Sequence, residues 1–114
     1  MILQQKTLEK LRDMITHETE YRSGPALVSF FNSLGGRDVY GQGFPSRWIY
    51  VDNKLASMNG TPDLDKCIKK LLSPVNFVAR FKDLDKLITD FNQYLAFDGW
   101  KIIRELKEIR FEKS

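Results

Sequence analysis

Residues 83–99 read DLDKLITDFNQYLAFDG. Leu84, Leu87, Ile88, Phe91, Tyr94 and Leu95 recur at spacings of three and four, the period that gathers apolar side chains on one face of an α-helix. Asp83 is a helix-capping residue type. Asp98-Gly99 supplies the stop, because the residue past a helix end often needs the positive φ that glycine adopts freely. The residues that follow, WKIIRELKEIRFEKS at 100–114, fit two forms. Ile102, Leu106 and Ile109 suit a helix, whereas Trp100, Ile102, Ile103, Ile109 and Phe111 are strand formers. The marked helix end just before them favours a hairpin turning near Leu106–Glu108. Helix followed by terminal hairpin sets the expected fold class: mainly α (α+β), five or six short helices with a small C-terminal β-hairpin.

Toward the N-terminus the same punctuation repeats. Ser73-Pro74 starts a short helix through Phe77, Val78 and Phe81. Thr61-Pro62-Asp63 opens a helix whose apolar face is Leu64, Cys67, Ile68, Leu71 and Leu72. Ser46 caps a helix from Arg47 to about Asn59, with Asn59-Gly60 as its stop. Trp48, Val51, Leu55 and Met58 form its stripe, widened by Ile49 and Tyr50. The β-branched Ile49 and Val51 leave a short strand over Trp48–Val51 as the competing form. Ser23-Gly24-Pro25 begins a helix with a broad face of Ala26, Leu27, Phe30, Phe31 and Leu34, ended by Gly35. The first helix spans roughly Gln4–His17, with Leu8, Leu11 and Ile15 in line and Met14 beside them. Thr16–Ser23 reads as a polar connection.

Composition bounds the function. The chain has 114 residues, suited to one domain spanning 1–114, and 42% of them are apolar, enough for a core. One cysteine excludes an internal disulfide and a cysteine-based zinc site, and one histidine excludes a histidine-rich metal centre. No apolar run approaches the roughly 20 residues that cross a bilayer, and MILQQKTLEK turns polar too soon for a secretory signal. A cytoplasmic protein with no cofactor and no membrane partner is the expectation. Lys plus Arg is 18 against 15 Asp plus Glu, for a net charge of +3. Acids and bases interleave, as in Arg104-Glu105-Leu106-Lys107-Glu108, which reads as a solvated surface. Arg22, Arg37, Arg47, Lys54 and Arg80 can still converge in space on a phosphate.

Few residues offer reaction chemistry. Gly41-Gln42-Gly43 lacks the spacing and the Lys-Ser/Thr of a phosphate-binding loop. Asp63/Asp65 and Asp83/Asp85 fall in first helical turns, where negative charge complements the helix dipole. Cys67 lies on an apolar face and reads as a small core residue. The stretch GRDVYGQGFPSRWIY, residues 36–50, is richer. It sets Tyr40, Phe44 and Trp48 among arginines, a composition shared by interaction hot spots and base-stacking surfaces. Phe44 and Trp48 are expected to cover the core, and Arg37, Tyr40, Arg47 and Lys54 are the candidate binding residues.

Two resemblances add to this reading. Arg12-Asp13-Met14-Ile15-Thr16-His17 is similar to the Arg-x4-His motif of HEPN-type ribonucleases. That resemblance implies proton transfer by His17 and phosphate stabilisation by Arg12; in that family the motif lies late in a four-helix unit, and here it lies in the first helix. Separately, Ser46-Arg47-Trp48-Ile49-Tyr50-Val51 with Lys54-Leu55 and Asn59-Gly60, and Phe91–Trp100 (FNQYLAFDGW), resemble a helical accessory domain of bacterial abortive-infection and related anti-phage proteins. This resemblance implies a bacterial module for sensing or partner binding, often joined to an effector domain. The leading expectation is therefore a non-catalytic interaction or regulatory module of phage defence, bound to a protein partner or a fused effector domain. Nucleic-acid binding through Arg37, Arg47, Lys54 and nearby aromatics, and an HEPN-like ribonuclease, stand beside it.

Overall fold

The computed structural model of the chain describes residues 1–114. Five α-helices and one hairpin form, as the punctuation predicts: α1 Gln5–Asp13, α2 Gly24–Asn32, α3 Arg47–Met58, α4 Pro62–Leu71, α5 Phe81–Leu95, β1 Trp100–Arg104 and β2 Ile109–Lys113. Ser23, Ser46 and Thr61 each accept a backbone N–H from the first turn of the helix they precede. Gly35, Gly60 and Gly99 take positive φ just beyond helix ends. The strands pair antiparallel with Ile102 opposite Phe111, and the Glu105 N–H donates to the Glu108 carbonyl across the turn.

Four expectations need correction. The first helix ends near His17 as expected, at Glu18, but its last stretch, Met14–Glu18, is a π-helical turn, so Thr16, read as the start of a polar connection, is helical and wholly buried. Ser73-Pro74 starts only a 3-10 turn, Pro74–Phe77, without a side-chain cap. Helix α5 begins at Phe81 rather than after Asp83, which lies in its first turn. Trp48 and Ile49 are 42% and 53% exposed, while Tyr50, Val51 and Leu55 enter the core. The spacing of Trp48 was right for the stripe, but the first turn of α3 projects past the core toward the end of α1.

The core is one cluster of 23 buried apolar residues, with Phe31, Phe77, Phe91, Leu11, Met14 and Ile15 among the largest. Helix α1 packs against α3 and α5; α3 also meets α2 and α4, and α5 carries the hairpin on β1. Asparagines join the non-helical pieces to the helices. Asn92, inside α5, accepts the Ile102 N–H at 2.8 Å and donates to the Ile102 carbonyl at 3.0 Å. Asn59 does the same for Leu3, and Asn32 for Asp38. The N-terminal segment is also tied to the turn after α5: Asp98 accepts the Gln4 N–H and the Thr7 hydroxyl, serving as the acidic cap that α1 lacks locally.

Removing the Asn92 clamp orphans both backbone groups of the buried Ile102. Asn92→Ala is expected to cost about 2–3 kcal/mol in urea denaturation, and Asn92→Asp, which keeps only the acceptor, about half of that. Hydrogen exchange of residues 100–113 should rise before that of α1.

Candidate functional site

The loop between α2 and α3 folds back on both helices. Asn32 holds the backbone of Asp38, and the Asp38 carboxylate accepts the Tyr50 hydroxyl at 2.8 Å and the Lys54 ammonium. Rings then run from the surface to the core: Tyr40 to Phe44 at 4.8 Å between centroids, Phe44 to Tyr50 at 4.7 Å, Tyr50 to Phe31 at 5.7 Å. The Tyr40 ring rests on Gly24, where an added Cβ would fall 2.3 Å from a ring carbon. A side chain at 24 would displace the Tyr40 ring from this position. Lys54 foremost, then Tyr50, holds the Asp38 carboxyl below its ordinary pKa. Burial, and then Asp38, raises that of Tyr50.

The four candidate binding residues do not form one surface. Lys54 is spent on Asp38. Tyr40 is half exposed and stacked on Phe44. Arg47 points to the other side of α3, donating to the carbonyls of Arg22 at 2.9 Å and Thr16 at 2.8 Å. Arg22 joins it there, donating to the Ile15 carbonyl and the Thr19 hydroxyl and pairing with Glu20. These two arginines satisfy carbonyls at the end of the π-helical turn, where the helix dipole is negative. Burial lowers the pKa of Arg22, and Glu20 opposes it. Arg37 is exposed and makes no ion pair or side-chain hydrogen bond, and Tyr40 likewise has no polar partner. Arg80 lies apart from the loop, pairing with Asp83.

Arg12 and His17 meet on Trp48 rather than around an open site. The Arg12 guanidinium lies 4.6 Å from the Trp48 ring centre and pairs with Asp13 and Asp52. The His17 ring packs against the same indole at 5.9 Å, and its Nδ1 is 3.0 Å from the Thr16 hydroxyl. Cys67 is buried, and desolvation pushes its thiol up to about 12, so it stays protonated at neutral pH.

The surface that sequence reasoning missed lies at the hairpin end of the molecule. Val75, Val78, Phe81 and Leu106 are 72%, 65%, 37% and 80% exposed. With Pro74 and Lys107 they line one hollow of about 370 Å³. Ala79, at φ +66°, holds the chain in a left-handed conformation between Val78 and α5, a strain of order 1–3 kcal/mol for a residue with a Cβ. Val78 was expected on a buried helix face. The 3-10 turn places Pro74 and Phe77, three residues apart, on its buried side and Val75 outside, and Val78 follows in extended backbone that turns its side chain to the surface. Nothing in residues 105–108 signals that their turn folds beside this segment.

No family model, no curated protein and no solved structure matches the chain.

The Asp38 cluster makes a pH-dependent prediction. Its carboxyl is depressed in the folded state, so its contribution is present above the unfolded carboxylate value of about 3.9 and lost as pH falls through the folded value. Asp38→Asn is expected to lower stability by about 1 kcal/mol at pH 7. Denaturation midpoints of variant and wild type should converge as pH falls below 3.9 and toward the lower folded value.

Proposed function

We propose that this chain is a non-catalytic interaction module whose recognition surface is the apolar hollow of Val75, Val78, Phe81 and Leu106. The observation that carries the reading is the clustering. Single exposed apolar residues are ordinary, but four around one hollow, three from residues 75–81 and one from the hairpin turn, mark a contact site. The occupant is a protein partner that presents an apolar ridge with acidic neighbours. Lys107 lines the hollow and Lys82 follows Phe81 in sequence, and neither is in an ion pair. A second copy of the chain would bring these like charges together, which opposes self-association. Binding without catalysis is supported by the commitment of Arg12 to Asp13, Asp52 and Trp48 and by the protonated, buried Cys67.

The setting rests on the resemblance of residues 46–60 and 91–100 to the accessory domains of abortive-infection proteins. It assigns the module to the bacterial cytoplasm and to phage defence, with a separate protein or a fused effector domain as the partner. No helix of the chain is long and apolar enough to cross a membrane.

A photo-crosslinking residue at position 106, introduced in cells of the native host, is expected to give a discrete protein adduct. Val78→Asp should abolish it without changing the thermal melt, because Val78 is exposed. The same crosslinker at position 37 should give none. No adduct from position 106, or an adduct from position 37 alone, removes the hollow as the recognition surface.

A further inference from the structure

A second surface lies between α2 and the end of α4, an open groove of about 830 Å³. Its charged residues are Arg22, Lys69, Lys70 and Glu20, and Glu20 is paired with Arg22. Lys69 and Lys70 enter no ion pair, so the groove keeps two positive charges with no carboxylate partner, the Lys69 ammonium lying 5.7 Å over the Phe111 ring and Lys70 making no such contact. Ser29 and Ser73 line it with hydroxyls that have no partner in the protein. At its rim stands Tyr21, 68% exposed. The Arg47 guanidinium, which does not line the groove, covers one side of the Tyr21 ring at 4.4 Å and is itself fixed by two carbonyls. The tyrosine is thereby held as an aromatic platform beside a cationic trough.

We infer that this groove binds single-stranded nucleic acid, with Lys69 and Lys70 on the phosphates and a base stacked on Tyr21. The pairing of backbone-tracking charge with a sequence-tolerant π-face is what a single strand recognises. An acidic peptide would use the lysines but gain little from the platform. Arg47, expected to touch a ligand directly, here braces the residue that does. The groove and the apolar hollow are different surfaces and share only Val75.

Fluorescence anisotropy with a labelled twelve-nucleotide oligouridylate tests this. Binding at 20 mM salt is expected to weaken with a log–log salt slope of about −1.4, from about 0.7 for each of two phosphates. Tyr21→Ala should weaken it about tenfold. Lys69→Glu with Lys70→Glu should weaken it at least tenfold, and Lys69→Arg with Lys70→Arg should retain it. Lys6→Glu with Lys101→Glu makes the same charge change at exposed lysines of neither surface and should weaken it far less. No binding at 20 mM salt, or equal loss in both Glu pairs, overturns the assignment. Binding indifferent to Tyr21→Ala and displaced equally well by oligoglutamate overturns it in favour of an acidic protein segment.

Discussion

An asparagine side chain carries a carbonyl and an N–H₂ that can satisfy both backbone groups of one extended residue, as a neighbouring strand would. This molecule uses that match at Leu3, Asp38 and Ile102, from Asn59, Asn32 and Asn92. Each clamp fixes a piece of chain outside the helices: the N-terminal segment, which Asp65, Gly60 and Asp98 also hold, the α2–α3 loop and the outer edge of β1. A two-stranded hairpin is marginal alone. Here Asn92 docks it on α5, and Ile102 and Ile109 are buried in the shared core. The position of the apolar hollow depends on that docking, because Leu106 reaches Val75 and Phe81 only when the hairpin lies on α5.

The cations divide into two groups with different work. Arg12, Arg22, Arg47 and Lys54 are spent within the molecule, on carboxylates, carbonyls and aromatic faces. Arginine suits the π-helical end because its planar fork reaches several acceptors at once. Lys69, Lys70, Lys82, Lys107 and Arg37 enter no ion pair, although the Lys69 ammonium lies over the Phe111 ring. The modest net charge of +3 therefore understates how unevenly free positive charge is distributed. Two of the free lysines sit in the α2–α4 groove, and one lines the apolar hollow.

Much of the fold was legible because it is local. Ser23, Ser46 and Thr61 cap, and Gly35, Gly60 and Gly99 stop, by rules that act over a few residues. The apolar face of α4 was read correctly because each of its residues meets the same core. The hairpin was preferred for a local reason too, the helix stop at Gly99. Site residues were less legible. Arg47 and Lys54 looked available beside the aromatics of the loop, yet their partners, Thr16 and Asp38, lie 31 and 16 positions away. The Arg12–His17 spacing was real, but both side chains face Trp48, which spacing along one helix cannot reveal.

The sequence by itself determined where helices begin and end, which faces turn inward, and that a short β element closes the chain. Periodicity and capping are properties of contiguous residues, and they survive without knowledge of the fold. Only the tertiary structure decided which polar groups were consumed and which were left for partners. That depends on long-range neighbours: three asparagines acting as substitute strands, two arginines closing a π-helical turn, and an exposed hollow assembled from a 3-10 turn, a helix start and a hairpin tip.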